Sequence, residues 1–220
     1  MNIWNLIDTL YKDQALDREE LIFLLKNRGE EPASYLAELA RKQAQKIYGK
    51  KVFPRGLIEF TNYCRNNCYY CGIQSSNKNI CRYRLSIEQI LSACQSGYEI
   101  GYRSFVLQGG EDPYYSDEHM VPIVEEIHQA YPDCAITLSL GERSPESYRK
   151  LHAAGGKRYL LRHETISPAL YQKLHPKKMS LEHRVQCLYD LREAGFQVGT
   201  GFMVGAPYQT LEDLADDLLF

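Results

Sequence analysis

The chain has 220 residues, 44% of them hydrophobic and 25% charged, at a formal net charge of -2. It is long enough to bury a sizeable core as one globular domain, and it has no basic excess with which to hold nucleic acid. Its longest aliphatic or aromatic run near the amino end, Leu21 to Leu25, is far short of the roughly 20 residues a membrane span needs, and no basic flank marks a signal peptide. A cytoplasmic protein with neither membrane nor nucleic acid as partner is expected. Seven cysteines, an odd number, form no disulfide framework and suit a reducing compartment.

Residues 1 to about 50 read as helical. Asp17-Arg18-Glu19-Glu20 has the form of a capping box ahead of Leu21, Leu24 and Leu25, and Pro32 can open a helix with Leu36, Leu39, Ala40 and Ala44 on one face. Lys42, Lys46, Lys50 and Lys51 make a solvated face. Residues 1–50 are therefore expected to be a helical extension and residues 51–220 the main domain.

From residue 52 short β-type runs alternate with helical segments. The runs are Phe53 to Phe60, Ser104 to Gln108, Ala135 to Leu140, Arg158 to His163 and Phe196 to Val204. The helices between and after them open at Ser86 with Gln89, at Asp117 with an end near Tyr131, at Ser144-Pro145-Glu146, at Ser180, and at Thr210 with Asp213. Five βα units in series predict a parallel sheet. Each run ends in a polar or glycine-rich cluster, which is the habit of a TIM-type (β/α) barrel; an open doubly wound sheet concentrates its chemistry at one switch point. Eight units take about 250 residues, yet five are counted, and the chain stops at Asp216-Asp217-Leu218-Leu219-Phe220 inside an amphipathic helix. The expectation is an α/β partial barrel truncated at its carboxyl end.

The cluster after the first run is the most informative. Cys64-Arg65-Asn66-Asn67-Cys68-Tyr69-Tyr70-Cys71 spaces three cysteines as C-x3-C-x2-C. Three thiolates in so short a loop can converge on one centre, and a cubane iron-sulfur cluster normally takes four cysteines, so one iron is left without a protein ligand. An open position is where a small molecule binds and reacts. Zinc is disfavoured because no second C-x2-C or histidine pair follows, and a disulfide because three is odd. Cys81 is too far along to read as a fourth ligand, and Cys94, Cys134 and Cys187 read as buried small hydrophobes. Glu111, Glu142 and Glu164 stand at strand ends and need cationic partners if buried, for which Arg82, Arg84, Arg162, Arg184 and a ligand ammonium are candidates. Ordinary ion pairs are the alternative for each.

The cysteine loop, with Tyr70 ahead of the third cysteine and Gly109-Gly110-Glu111 after the second run, resembles the signature of the radical S-adenosylmethionine (SAM) enzymes. Asn77-Lys78-Asn79 with Arg82-Tyr83-Arg84, Leu107 to Tyr115, Ser139 to Glu142, Arg158 to Thr165 and Gly201 to Gly205 together resemble the HydE-type maturases of iron-only hydrogenase. The resemblance implies that Cys64, Cys68 and Cys71 ligate a 4Fe-4S cluster and that Tyr70 lies near the adenine of SAM. It puts Gln108, Gly109, Gly110 and Glu111 along SAM, Glu111 at its amino group, with Glu164 and Arg184 on its other polar groups. Thr137, Ser139, Arg162 and Met203 would line the barrel interior with the substrate, although Thr137 and Ser139 read equally well as strand residues satisfied by backbone. The implied reaction cleaves SAM to methionine and a 5'-deoxyadenosyl radical. Its implied partners are an iron-carbonyl-cyanide-cysteine precursor, an electron donor such as ferredoxin or flavodoxin, and other hydrogenase maturation proteins. A radical SAM enzyme of methylornithine or biotin synthesis, an iron-sulfur electron carrier and a zinc module are the competing readings.

Overall fold

The computed structural model describes residues 1–220. Two compact units divide them. One comprises Met1–Phe53, Thr165–Leu170 and Met203–Phe220, the other Pro54–Glu164 and Tyr171–Phe202.

The first unit is helical. It holds α1 (Ile3–Asp13), α2 (Arg18–Asn27) and α3 (Glu30–Tyr48). Asp17 and Glu20 satisfy each other's backbone amides at 2.8 and 2.9 Å, so the expected capping box forms. Helix α3 starts at Glu30, which places Pro32 in the first turn, where a missing N–H leaves no intrahelical bond unmade. Leu6, Ile7, Leu16, Leu24 and Leu39 form a small core of their own. On the outer face Lys42 pairs with Glu38 and Lys46 reaches the Tyr11 hydroxyl, while Lys50 and Lys51 are exposed. The helix α9 (Leu211–Leu219), opened by a Thr210–Asp213 capping box, belongs to this unit too, and the Arg18 guanidinium grips Asp216 at 2.6 and 3.0 Å.

The second unit is a five-stranded parallel sheet: β1 (Gly56–Thr61), β2 (Ser104–Gly109), β3 (Ala135–Ser139), β4 (Gly156–Leu160) and β5 (Gln197–Gly199). Its spatial order is its sequence order, with α4 (Ile87–Glu99), α5 (Asp117–Ala130), α6 (Pro145–Ala153), α7 (Pro168–Leu174) and α8 (Leu181–Glu193) in the connections. There is no reversal and hence no switch point, which is the winding of a barrel rather than of a doubly wound sheet. Side chains alternate between the faces. Ile58, Leu107, Leu138, Tyr159 and Val198 lie in register on the helix-covered face, where they join the core with Phe60, Phe105 and Ile136. Leu57, Val106, Thr137, Arg158 and Gln197 form the row on the opposite face, and Glu59, Gln108 and Ser139 form the next row toward the carboxyl ends.

Three strands differ from their sequence reading by more than one residue at an end. The first begins at Gly56 because Pro54 can donate no ladder bond. The fourth ends at Leu160, and the fifth keeps only Gln197–Gly199. There the Thr200 hydroxyl caps the Leu161 carbonyl at 2.9 Å and contacts His163 Nδ1 at 2.9 Å, so the pair separates and meets again only at a single Glu164–Phe202 bridge. Helix α7 had no counterpart in the sequence reading. All seven cysteines are free, with Cys94, Cys134 and Cys187 buried and Cys81 exposed. No helix is long and apolar enough to cross a membrane.

The alternation of faces along β2 makes a direct prediction. Leu107→Ala, at a fully buried position, is expected to cost about 2–5 kcal/mol in urea unfolding. Val106→Ala, one residue back on the other face, should cost much less, and equal losses would contradict the assignment.

Candidate active site

The loop that leaves β1 is fixed by its own polar groups. Cys71 N–H donates to the Cys68 carbonyl at 3.0 Å, and Ser75 N–H to the Asn66 carbonyl at 2.8 Å. The Asn67 side chain accepts from the Ser75 hydroxyl and the Ser76 amide, both at 2.8 Å. The Arg82 guanidinium donates to the carbonyls of Asn62, Ile73, Gln74 and Asn77, and so holds both ends of the loop. Within it Cys64, Cys68 and Cys71 are half-buried. Burial pushes the Cys64 thiol up and the Cys68 thiol up to about 11, and the neighbouring sulfurs add to both shifts. No three acidic, histidine or cysteine side chains stand close enough to share one metal ion. A cubane asks for something else, one thiolate for each of three irons, and three soft donors on one rigid loop fit that demand.

Glycine brings the end of β2 against this loop. A Cβ at Gly110 would lie 2.2 Å from the Tyr63 carbonyl oxygen and 2.7 Å from Cys64 Cβ, so only glycine permits the approach. Gly109 is likewise crowded by Thr61 and Phe60. The contact is sealed by Arg65 N–H donating to the Glu111 carbonyl at 3.0 Å. Next in the chain, the Asp112 carboxylate takes two bonds from Arg84 at 2.7 and 2.9 Å and one from the Thr61 hydroxyl at 2.8 Å. Burial pushes the Asp112 carboxyl up, but these donors win and hold it below the usual range.

Glu111, Glu142 and Arg184 form the polar centre. Glu111 Oε2 accepts from Arg65 Nε and Nη2 at 3.2 and 3.1 Å, and its Oε1 accepts from Glu142 N–H at 3.2 Å and lies 3.9 Å from Arg184 Nη2. Arg184, on α8, is only 8% exposed, and its Nε sits 2.8 Å from Glu142 Oε1, a close ion pair rather than an aligned hydrogen bond. Burial raises the Glu142 carboxyl, and Arg184 opposes the shift. Beside them a cavity of about 850 Å³ is lined by Glu111, Glu142, Arg65, Arg143, Tyr115 and His183. A second of about 430 Å³ shares the two glutamates and reaches Met179, whose sulfur is 3.8 Å from Cys68 Sγ.

Glu164 follows β4 and is buried, in a left-handed backbone conformation (φ 68°) that side chains rarely adopt. Burial raises its carboxyl, and Arg162, with Nε at 3.3 Å, opposes that together with Arg184. Tyr70 interacts with Glu164 as well, and its hydroxyl is 3.1 Å from His175 Nε2. His175 Nδ1 lies 3.0 Å from the Tyr171 carbonyl, which can only accept. Nδ1 therefore carries the proton, and Nε2 accepts from Tyr70. Burial pushes His175 down to about 4 and the Tyr70 phenol well above its ordinary value.

The structure thus brings together Cys64, Cys68, Cys71, Tyr70, Gly109, Gly110, Glu111, Glu164 and Arg184. Gln108, Thr137 and Ser139 share the open face of the sheet, Gln108 donating to Glu59 at 3.3 Å, and Arg162 follows β4. Met203, expected within the fifth strand, belongs to the helical unit, where its carbonyl accepts from Gln209 at 2.6 Å. Arg65 and His175 were not read as parts of the site, while Arg82 and Arg84, expected as partners of the strand-end glutamates, are taken up by loop carbonyls and by Asp112 instead. Arg65 could have been suspected from its place between two loop ligands, but nothing marked His175 at 105 residues from Tyr70.

Comparison with known proteins gives a consistent result. The model of the Radical SAM superfamily matches residues 58–220. The FeFe hydrogenase maturase subunit HydE of Thermotoga maritima is 48% identical over 185 residues, 84% of this chain and 52% of that protein. The 3-methylornithine synthase of Methanosarcina acetivorans is 31% identical over 192 residues, 86% of this chain and 54% of that protein. The crystal structure of methylornithine synthase (PylB) superposes with a TM-score of 0.89 at 28% identity, covering 97% of this chain and 63% of that one. The chain spans about half the length of the curated relatives it matches, so its sheet is a partial barrel.

Two predictions follow from the geometry. Gly110→Ala should lower the thermal midpoint and the iron bound on anaerobic reconstitution, whereas Gly72→Ala, with open space around its Cβ, should change neither. His175 refuses a proton that the unfolded chain takes up below its ordinary value of 6.5, so its contribution is complete above that pH and fades as pH falls toward 4. Between pH 7.5 and 5 the loss should be about 2 kcal/mol, and His175→Gln should show a correspondingly smaller drop in parallel urea titrations.

Proposed function

Since the chain belongs to the radical SAM superfamily, whose members use a 4Fe-4S cluster and SAM, we propose that it cleaves SAM reductively in the maturation of the di-iron centre of FeFe hydrogenase. The observation that carries the chemistry is the contact of the three-thiol loop, through Gly110, with the Glu111–Glu142–Arg184 centre. The maturase assignment rests on 48% identity to HydE.

In this reading Cys64, Cys68 and Cys71 hold three of the four irons. When bound, the cluster supplies the electron that breaks a carbon-sulfur bond of SAM to give methionine and the 5'-deoxyadenosyl radical. Glu111 takes the SAM ammonium. Its present partner Arg65 is 57% exposed along its side chain, so exchanging that pair for a ligand cation costs little. Arg184 takes the carboxylate, which a guanidinium fork suits better than a point charge. Glu164 receives a further polar group of SAM, and Tyr70, fixed by His175, flanks the adenine, with Gln108, Gly109 and Gly110 along the ligand. Thr137, Ser139 and Arg162 face the substrate, a role that for Met203 rests on the resemblance alone.

The substrate is an iron-carbonyl-cyanide-cysteine complex handed on among hydrogenase maturation proteins, and ferredoxin or flavodoxin is the electron donor. The seven free cysteines suit a reducing cytoplasm. Residues 1–50 serve as an extension to a catalytic core at 51–220. A second reading, a small amino-acid substrate, is favoured by the TM-score of 0.89 to methylornithine synthase. Against it stands the lower identity, 31% compared with 48% over a similar stretch.

Anaerobic reconstitution, dithionite reduction and chromatography for 5'-deoxyadenosine test the chemistry. The wild type should form it and Cys68→Ala should not, while Glu111→Gln should raise the KM for SAM by about 10- to 100-fold. An iron-loaded wild type that forms none would end the reading.

A further inference from the structure

Glu142 touches both groups given to SAM in that reading without having a role in it. Its carboxylate lies 2.8 Å from Arg184 Nε, against 3.9 Å for the contact between Glu111 and Arg184 Nη2, and its own N–H donates to Glu111 Oε1 at 3.2 Å. The turn that presents it is equally constrained. Gly141 has φ 75°, and a Cβ there would fall 2.1 Å from Glu111 Cγ, so residues 141 and 142 form a bracket around the Glu111 side chain. A cation as buried as Arg184 needs a fixed counter-charge. Arg65 has turned Glu111 toward itself, which leaves Glu142 as the close partner. With Nε against Glu142, Nη2 keeps only the long 3.9 Å contact with Glu111, and the other neighbour of the guanidinium is the neutral Tyr171 hydroxyl, so no second carboxylate closes on the fork that a ligand carboxylate would use.

We propose that Glu142 is the positioning residue of the SAM site, aiming Arg184 with its carboxylate and Glu111 with its backbone amide while making no contact with SAM. This rests on the radical SAM reading. It assigns the affinity of the site, rather than bond cleavage, to a residue that acts through its neighbours. The amide contribution survives any side-chain substitution, so side-chain variants report on the carboxylate, which is held by Arg184 at 2.8 Å through one oxygen and faces the exposed His183 at 3.5 Å through the other.

The test compares wild type, Glu142→Ala, Glu142→Gln, Arg184→Ala and the double variant Glu142→Ala with Arg184→Ala as anaerobically reconstituted proteins. It measures iron per chain, thermal midpoint, SAM affinity by equilibrium dialysis, and KM and kcat for 5'-deoxyadenosine formation. Glu142→Ala should keep its iron and weaken SAM binding by about 10- to 100-fold, with KM rising in step and kcat at saturating SAM falling less. Glu142→Gln, which keeps the reach and an acceptor oxygen, should fall between wild type and Ala. In the Arg184→Ala background Glu142→Ala should add less than about twofold, because a residue that acts through another loses its effect with it. Unchanged affinity in Glu142→Ala, or additive losses in the double variant, overturns the proposal. If Glu142→Ala loses iron or melts early, the Gln variant decides alone, and wild-type affinity there is equally fatal. An iron-loaded wild type that binds no SAM overturns the parent reading instead, a result distinct from wild-type binding that Glu142 variants leave unaltered.

Discussion

The site depends on a contact between backbones that a single methyl group would prevent. Because residue 110 has no side chain, the end of β2 lies against the Tyr63 carbonyl and Cys64. A side chain could be accommodated there only by moving main chain on one side or the other, and close-packed interiors yield little to such demands. The contact puts the loop of three cysteines and a strand end bearing carboxylates side by side. The chain-ordered sheet then supplies Glu142 and Glu164 from the next two strand ends. The glycines of Gly109-Gly110-Glu111 are explained by protein packing before any ligand is considered.

Once the carboxylates are gathered, burial sets their chemistry. Glu142 and Glu164 are pushed toward the neutral form, and both remain close to arginines that oppose the push. Removing one partner of such a set strands a buried charge, whereas the pairing itself contributes little net stability. The arginines differ in a useful way. Arg184 is buried and held, while Arg65 is largely exposed and free to exchange. A zwitterion brings its own ammonium and carboxylate, so each of its ends finds an opposite charge already in place, Glu111 for one and Arg184 for the other.

What the sequence disclosed was local. Capping boxes at Asp17, Ser86 and Thr210 formed because their partners are three residues away and need no tertiary support. The cysteine spacing and the order of βα units were equally legible, since each is a property of neighbours in the chain. Strand ends were less so. The last two strands separate at Thr200, whose hydroxyl takes the Leu161 carbonyl 39 residues earlier, and no periodicity in Phe196–Val204 announces that competition. Met203 was misplaced for the same reason. The Tyr70–His175 bond and the fourfold grip of Arg82 on carbonyls depend on tertiary approach, and residue types alone do not encode it.

The cysteine loop therefore separates two costs that small metal domains combine. Where metal binding also folds the chain, the ligands are ordered by the metal and the binding energy is spent on folding. Here Arg82, Asn67 and the Gly110 contact order the loop through protein groups, so that entropy is already lost before any iron arrives. The remaining cost is ionic: burial raises the Cys64 and Cys68 thiols, so a metal bound by them would have to displace a proton from each. A scaffold ordered in advance around protonated thiols makes assembly depend on charge rather than on chain ordering. The same desolvation that raises the thiols raises Glu142 and Glu164, and there Arg184 and Arg162 already oppose it, whereas no cation in the loop does the same for Cys64.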